Sequence, residues 1–234
     1  MSNPIVESTE SGKAVSWYGE GGLQFRARFR IDGGRPCIDE VACRADGKWK
    51  TLARGLYPEF EIKTGIRRPE VSHGQPHEDR WWNYSDTPLA HPEDVRTASA
   101  SFSCAEIVNC IDGARAEIAF PGVQIGQFSG KLQVTVYSGS NLLRLETIAA
   151  TQEDSVAYMY RAGLTGFQAK ELRWIDPSRN PHRLVPEPGS DGEPVRIRAR
   201  NRILTLGLHE GSVSCFPPPH AFIWDRQLEI NVGF

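Results

Sequence analysis

Apolar and polar residues alternate with a period of two along much of this chain. The clearest run covers residues 23–31, where five apolar side chains are separated by a glutamine and three arginines. Successive side chains of a β-strand point to opposite faces, so this alternation predicts a strand with one buried and one exposed face. The apolar positions are Leu23, Phe25, Ala27, Phe29 and Ile31, and the polar positions are Gln24, Arg26, Arg28 and Arg30.

Shorter runs of the same kind follow one another along the chain, separated by turn-forming residues. Turns are indicated at Gly33-Gly34, Asp46-Gly47, Asp112-Gly113 and Pro121-Gly122, the last of which is predicted to end its strand. Residues 36–45 alternate imperfectly, as a strand with a β-bulge does. The predicted strands cover residues 15–18, 23–31, 36–45, 48–52, 59–63, 97–111 (one or two strands), 115–120, 131–137, 142–151, 155–160, 194–200, 203–208, 211–216, 221–224 and 227–234.

These strands predict an all-β protein, a large antiparallel two-sheet sandwich. Residues 1–14 are polar and predicted to be frayed, residues 164–174 to hold a helical turn, and residues 176–194 to form a surface loop. Without a linker or repeat, residues 1–234 are expected to form a single β-sandwich domain with a long loop at 65–95. Predicted core residues of the strands before this loop are Trp49, Leu52, Phe60 and Ile62.

Residues 67–93 break the alternation and hold an unusual set of side chains. Four prolines exclude a long helix, and long ordered loops in compact domains are commonly functional. Two adjacent tryptophans argue against disorder. The polar and aromatic residues of this loop are Arg67, Arg68, His73, His77, Glu78, Asp79, Trp81, Trp82, Tyr84, Asp86 and His91.

Two kinds of site suit these loop residues. Histidines and carboxylates are ligands for zinc or a similar ion, although Pro76 disfavours the helix that would align His73 with His77. Aromatic rings stack on the apolar faces of sugars while arginine and aspartate bind hydroxyl or carboxylate groups. We favour the sugar platform and expect no resident metal or other cofactor, with the Trp pair packing the loop onto the sandwich as the structural alternative.

Arginines also recur on one face of two predicted strands. The rows are Arg26, Arg28 and Arg30, and Arg196, Arg198 and Arg200. If the two strands are neighbours, these rows form a basic groove suited to uronates or other anionic sugars. The alternative is a solvated sheet face on which cross-strand Asp and Glu balance the arginines.

Composition narrows the class of protein further. The chain has 234 residues, 39% of them hydrophobic, and a net charge of -2, so no basic excess points to nucleic acid. No apolar run is long enough for a membrane helix, and no signal peptide is seen at the start, which favours a cytoplasmic location. The five cysteines are expected to be free thiols, because Cys37 and Cys43 share a strand face, as do Cys104 and Cys110.

Residues 131–164 read Lys-Leu-Gln-Val-Thr-Val-Tyr, a turn, Asn-Leu-Leu-Arg-Leu-Glu-Thr-Ile-Ala-Ala-Thr, and then Val-Ala-Tyr-Met-Tyr-Arg-Ala-Gly-Leu. This segment resembles the central strands of galactose mutarotase-like proteins. The resemblance implies the β-supersandwich fold that sugar epimerases, polysaccharide lyase domains and glycosidase domains share. The family's Asn-His pair has no counterpart in residues 156–160, so the resemblance assigns no catalytic acid here.

The leading hypothesis is a carbohydrate-binding or carbohydrate-active protein, with epimerase-like or lyase-like chemistry on an anionic sugar if it is catalytic. His73 or His77 is then the predicted base, and Glu78 or Tyr84 the acid partner. The predicted substrate-binding residues are Arg67, Arg68, Trp81, Trp82, Asp86 and His91.

Two rival classes remain open. One is a noncatalytic interaction or structural protein whose aromatic loop anchors a partner, including a second copy in a homo-oligomer. The other is a metal-dependent β-barrel enzyme. The expected partner in the leading hypothesis is a carbohydrate or another small polar ligand, and neither nucleic acid nor a membrane.

Overall fold

The computed structural model describes residues 2–66, 95–186, 197–201 and 203–217. Within these ranges the regular structure is β, apart from a short 3-10 turn at Glu20–Gly22, which confirms the predicted all-β class. The strands are β1 (Ile5–Thr9), β2 (Gly12–Tyr18), β3 (Gln24–Asp32), β4 (Arg35–Ala45), β5 (Lys48–Ile66), β6 (Arg96–Phe102), β7 (Val108–Asp112), β8 (Arg115–Ile125), β9 (Phe128–Tyr137), β10 (Leu143–Ala150), β11 (Val156–Thr165), β12 (Glu171–Ile175), β13 (Pro181–Leu184), β14 (Leu204–Gly207) and β15 (Ser212–Cys215).

The described strands form a large and a small sheet. The large sheet has eleven strands in the order β1-β2-β3-β4-β5-β6-β8-β9-β10, with β11 beside β5 and β7 beside β8. The small sheet has four strands in the order β13-β12-β14-β15. Every pairing within the described ranges is antiparallel, as predicted.

Two tight hairpins set the register of β3, β4 and β5. Asp32 pairs with Arg35, so the β3–β4 turn consists of Gly33 and Gly34, whose φ angles are 55° and 84°. The β4–β5 turn is Asp46-Gly47, with φ angles of 53° and 74°. Two successive residues with positive φ close a hairpin whose twist matches that of its strands, which explains why these turns are rich in glycine.

The large sheet folds over on itself around one core. The rings of Phe29 on β3 and Phe120 on β8 meet edge to face with centroids 6.2 Å apart, although β4, β5 and β6 separate these strands in the sheet. The indole Nε1 of Trp17 on β2 also donates to the carbonyl of Ser140, next to β10, at 2.9 Å. The architecture is thus sandwich-like, but its large layers belong to one continuous sheet. The buried core includes Val15, Trp17, Ala27, Phe29, Ile38, Leu56, Phe60, Ile62, Ile118, Phe120, Leu132, Val134 and Val136.

Two strands, β5 and β8, continue past positions at which the sequence predicts that a strand ends. β5 covers 19 residues where two short strands were predicted. Its first half pairs with β4, and its second half lies between β6 and β11. β8 continues through Pro121-Gly122, because Gly122, with a φ of 98°, is accommodated as a bulge opposite β9. The prediction that this dipeptide ends its strand was therefore wrong.

Three other predictions from local sequence were also wrong. Residues 5–9 form β1 in antiparallel pairing with β2, where frayed chain was predicted. Residues 164–174 contain the end of β11 and the start of β12, with no helical turn. The predicted loop at 176–194 contains β13, which pairs with β12. In each case, pairing with a neighbouring strand outweighs a weak local pattern.

The predicted core of β5 is only half correct. Phe60 and Ile62 are buried, as expected. Trp49 is more than a third exposed, and Leu52 is half-buried. Leu52 is the extra residue of a second bulge, because Val41 pairs with Ala53 but Ala42 pairs with Thr51.

The five cysteines are free thiols, as predicted, and two of them are buried. Burial raises the pKa of Cys37 and of Cys104 above the ordinary thiol value. None of the described residues forms a helix with the length and apolar character needed to cross a lipid bilayer. The extent of a single domain over residues 1–234 stays a prediction.

Candidate anion-binding site

The residues predicted to bind or transform a ligand lie between 67 and 91, outside the described residues. Their roles therefore stay predictions. They are His73, His77, Glu78 and Tyr84 as catalytic residues, and Arg67, Arg68, Trp81, Trp82, Asp86 and His91 as substrate-binding residues. The site described below comes instead from the arginine row on β3.

This row lies on the outer face of the large sheet. Ala27 and Phe29 of β3 are buried in the core, so the alternating Arg26, Arg28 and Arg30 point the other way. β4 on one side and β2 on the other occupy both edges of β3. The second arginine row therefore does not lie beside it, and the described Arg198 and Arg200 are not in a strand. The groove predicted between two neighbouring arginine strands was wrong.

A β-bulge in β4 brings two consecutive carboxylates to the arginine face. Arg28 pairs with Glu40, but the next residue, Phe29, pairs with Ile38, which leaves Asp39 as the extra residue. In a regular strand, neighbouring residues point to opposite faces. Here both acids bond arginines of β3: Asp39 Oδ1 lies 3.1 Å from Arg30 Nε, and Glu40 Oε2 lies 2.9 Å from a terminal nitrogen of Arg26.

Glu40 is the centre of the densest charge cluster on this face. It is 5% exposed, and its carboxylate is shared by three arginines. Besides Arg26, a terminal nitrogen of Arg54 donates to it at 3.0 Å, and Arg28 Nε lies 3.7 Å away. The Thr51 hydroxyl donates at 3.1 Å. Three positive charges against one negative charge leave a local excess of two positive charges.

This charge environment keeps Glu40 ionised. Burial alone would raise the pKa of its carboxyl group, because the charged form loses hydration. Hydrogen bonds from Arg26 and Thr51, together with the charges of Arg26 and Arg28, outweigh burial and lower the pKa below its ordinary value. Glu40 therefore carries a full negative charge at neutral pH.

Two of the three arginines also reach solvent beside a shallow pocket of about 300 Å³. The side chains of Arg28 and Arg54 are 45% and 70% exposed. The pocket is lined by Arg28, Asp39, Glu40, Arg54 and Gly55. An anion entering it meets these two guanidinium groups beside two carboxylates, of which Asp39 is paired with Arg30 and Glu40 is shared by three arginines.

A second network flanks the pocket. The Tyr57 hydroxyl donates to Asp32 Oδ2 at 2.5 Å, and Arg30 contacts Asp32 at 3.1 Å and the Tyr57 oxygen at 3.2 Å. The hydrogen bond from Tyr57 and the charge of Arg30 lower the pKa of Asp32. The hydrogen bond to Asp32 and partial burial raise the pKa of Tyr57. Burial would lower the pKa of Arg30, but the hydrogen bond to Asp39 and nearby negative charges raise it.

The pKa shifts on this face all reinforce the ordinary charge states. A general acid or base works best with a pKa near the working pH. Here Glu40 and Asp32 move further below neutrality, while Tyr57 and Arg30 move further above it. These four groups therefore suit the binding of a charged ligand and are poorly suited to transferring protons at neutral pH.

Replacing Tyr57 with phenylalanine tests this network directly. Tyr57→Phe removes the hydrogen bond that contributes most to the lowered pKa of Asp32. We expect the pKa of Asp32 to rise toward its ordinary value, because only the charge and hydrogen bond of Arg30 and the charge of Arg35 then favour the carboxylate. NMR titration of the side-chain carboxyl carbon gives the measurement. Asp176, whose pKa of about 2 is set by His182 and the Asn180 backbone on the small sheet, is the control and should titrate as in the wild type. An unmoved Asp32 titration would contradict the network.

Trp49 lies at the other end of the same face. The Arg26 guanidinium carbon sits 4.5 Å from the centroid of the indole ring, a cation–π contact. Trp49 was predicted to be a core residue, and this was wrong. The indole ring of Trp49 packs against the Arg26 guanidinium on the outer face of the sheet, away from the core.

His182 has a structural environment on the small sheet. Its ring stacks on Trp174, its cross-strand partner, with centroids 5.2 Å apart and an interplanar angle of 11°. Its Nε2 atom lies 2.9 Å from Asp176 Oδ2. The hydrogen bond with His182, and a second one from the Asn180 backbone, lower the pKa of Asp176 to about 2. These contacts fasten the β12–β13 hairpin. Across the described parts of the chain, no three His, Cys, Asp or Glu side chains gather as metal ligands would.

Sequence reasoning missed most of this site. Asp39 and Glu40 could have been found from the broken alternation of residues 36–45, which does signal a bulge. Arg54 and Tyr57 had no usable signal, because residues 53–58 were read as the gap between two short strands. Thr51 was placed on a strand, but its bond to Glu40 depends on the register of the β4–β5 pair.

No protein-family model matches this chain, and no curated protein shows significant similarity to it. Function therefore has to be argued from the geometry of the arginine face.

Proposed function

We propose that this protein binds an anionic carbohydrate, with the carboxylate of a uronic acid seated between Arg28 and Arg54. One observation carries the proposal: a single buried carboxylate, Glu40, is shared by three guanidinium groups, two of which open onto a pocket. Guanidinium groups match carboxylates in shape and charge and bind them with paired hydrogen bonds.

A sugar is the favoured anion because the same pocket offers acceptors as well as donors. The carboxylate of Asp39 also lines it and accepts hydrogen bonds from hydroxyl groups. Trp49 and Tyr57 lie on the same face, with rings that suit the apolar side of a sugar. A small inorganic anion would use the arginines but would leave these acceptors unused.

The fold and location that accompany this function are also proposals. We propose that the sandwich-like sheet is a β-supersandwich of the galactose mutarotase-like type, in support of which residues 131–150 form the antiparallel β9–β10 hairpin. We also propose a cytoplasmic location, supported by five free thiols, which persist in a reducing compartment.

Catalysis, in this proposal, belongs to the loop residues. His73 or His77 acts as the base and Glu78 or Tyr84 as the acid partner, with Arg67 or Arg68 as a further substrate-binding residue. The four residues of the arginine face with shifted pKa values, Glu40, Asp32, Tyr57 and Arg30, serve only to bind the ligand, since their pKa values lie far from neutrality. The ultraviolet absorbance of unsaturated uronates tests for β-elimination, and bound uronate without any absorbance change would rule out the lyase-like reaction.

Arg28→Gln and Arg54→Gln test the binding site. Each variant removes a charged hydrogen-bond donor worth about 1.5–3 kcal/mol, so the affinity for galacturonate should fall at least about tenfold. Isothermal titration calorimetry at low salt gives the affinity, and wild-type binding should weaken as salt is added. Arg54→Lys keeps the positive charge but loses the planar guanidinium group. Its affinity for galacturonate should therefore lie between those of the wild type and Arg54→Gln.

Two controls make the result specific. Galactose lacks the carboxylate and should bind the wild type much more weakly than galacturonate does. Arg144 forms an ion pair with Glu146 on β10, so Arg144→Gln should leave the affinity for galacturonate unchanged. Equal binding of both sugars, or equal losses in all three glutamine variants, would rule out the arginine pocket as the site.

A further inference from the structure

The small sheet has a polar face that the proposed site does not use. Arg173 of β12 pairs with Arg183 of β13 on one side and with Thr205 of β14 on the other. Thr205 pairs in turn with Ser214 of β15, and their hydroxyl oxygens are 2.9 Å apart. Because directly paired residues share a face, two guanidinium groups and two hydroxyls form one row across all four strands.

A buried glutamate, Glu171, contacts two exposed arginines on this face, as Glu40 does on the large sheet. The Glu171 side chain is 10% exposed, while those of Arg173 and Arg183 are 64% and 65% exposed. Each of its carboxylate oxygens contacts one of the two arginines. Two positive charges against one negative charge leave an excess of one positive charge, the same kind of imbalance as around Glu40.

Gly207 makes room for this carboxylate. A Cβ atom at position 207 would lie 2.7 Å from Glu171 Cγ, so a larger residue would displace the glutamate. Gly207 is the direct cross-strand partner of Glu171. The glutamate therefore lies over the backbone of β14 and holds both arginines from below.

The two arginine sites lie in the same part of the molecule. A Cβ atom at Gly166 would be only 2.4 Å from the carbonyl oxygen of Gly55, which lines the first pocket. Glu171 follows Gly166 by five residues, a span of at most about 18 Å in extended chain. The β14–β15 turn, at the same end of the small sheet as Glu171, also lies against β5, because a Cβ atom at Gly211 would be 2.9 Å from Leu52.

We propose that Arg173 and Arg183 form a second anion subsite, and that the ligand is an oligomer of uronic acid spanning both arginine sites. The repeated carboxylates of such a chain match the two guanidinium clusters. Thr205 and Ser214 supply hydroxyl partners along the row. This inference rests on the proposed function and specifies its substrate class.

The dependence of affinity on the length of the uronic acid oligomer tests the second subsite. Two linked binding events give an affinity well above that of either alone, so wild-type affinity should rise about a hundredfold from galacturonate to a long enough oligogalacturonate. The double variant Arg173→Gln/Arg183→Gln should lose most of this gain and still bind monomeric galacturonate at the Arg28/Arg54 site with wild-type affinity. That unchanged monomer affinity also shows that the variant is folded. Titration calorimetry over a series of defined oligomer lengths gives both numbers.

The possible failures are distinguishable. If wild-type affinity does not grow with length, or if the double variant keeps the full gain, the second subsite is wrong while the first site stands. If the wild type binds neither monomer nor oligomer, the proposed function is wrong as well. Arg144→Gln serves as the control and should show the wild-type dependence on length.

Discussion

Phe29→Ala and Phe120→Ala are each expected to lower the free energy of unfolding by about 3–5 kcal/mol, the usual loss for a buried phenylalanine. Both side chains are 1% exposed and belong to the one core that the large sheet encloses. Each variant leaves a cavity in the middle of that core. Chemical denaturation followed by tryptophan fluorescence measures the loss. Leu23→Ala is the control, because Leu23 immediately precedes β3 but is 43% exposed, and should lose less than about 1 kcal/mol.

The double variant tests how the sheet closes. Phe29 and Phe120 are in contact only because the sheet folds over, with three strands between β3 and β8 in the sheet order. Their edge-to-face contact should give a coupling of about 0.5–1.5 kcal/mol in a double-mutant cycle. Strictly additive losses would mean that the two rings do not touch and that the two ends of the sheet do not share a core.

Glu40→Gln is expected to lower the free energy of unfolding by about 2–3 kcal/mol, somewhat less than the loss of a partner in a fully buried ion pair. Most of the loss comes from Arg26, whose side chain is largely buried and keeps its charge without a carboxylate. Arg28 and Arg54 contribute little, since exposed ion pairs are weak. The matched control is Glu146→Gln, which removes the carboxylate of the more exposed Arg144 pair and should cost below about 1 kcal/mol.

The pH dependence of this loss has a definite sign. The folded state lowers the pKa of Glu40 below its unfolded value of about 4.3, so the stability it contributes is fully present above that pH. As the pH falls through the folded pKa, Glu40 takes up a proton and the contribution disappears. The stability difference between wild type and Glu40→Gln should therefore be constant near neutral pH and shrink in acid. A difference that grows in acid would contradict the lowered pKa.

The same variant separates stability from binding. Glu40 competes with a bound anion for the guanidinium groups of Arg28 and Arg54. Glu40→Gln removes this competition and should bind galacturonate more tightly while being less stable. Weaker galacturonate binding by the folded variant would indicate that Glu40 itself recognises the sugar, through its hydroxyl groups.

The strand faces could be predicted where one face is buried. Ala27 and Phe29 pack into the core because the residues that alternate with them, Arg26, Arg28 and Arg30, are arginines. A shift of one residue would bury these arginines and expose the apolar side chains. The turns at Gly33-Gly34 and Asp46-Gly47 could also be predicted, since their positive φ angles suit glycine and aspartate. Both kinds of prediction depend on residues that are neighbours in sequence.

The same local reasoning failed at Trp49 and at residues 164–174. A tryptophan on an alternating strand was expected in the core, but Arg26 from β3 provides its packing partner on the outer face. A helical turn was predicted within residues 164–174, but hydrogen bonding to β13 and β14 makes residues 171–175 a strand. Neither partner can be identified from the segment itself.

For this protein, the sequence by itself determined the all-β class, the buried and exposed sides of strands such as β3, and the positions of its tight turns, because these follow from side-chain alternation and from φ preferences within a few residues. Only the tertiary structure decided that one sheet folds over a single core and that a bulge at Asp39 turns two acids toward the arginines. It alone brought Arg54 and Thr51 to Glu40. These features depend on the hydrogen-bond register between different strands. The broken alternation of residues 36–45 indicates a bulge, but it does not show which residue is the extra one or which side chains of other strands it meets.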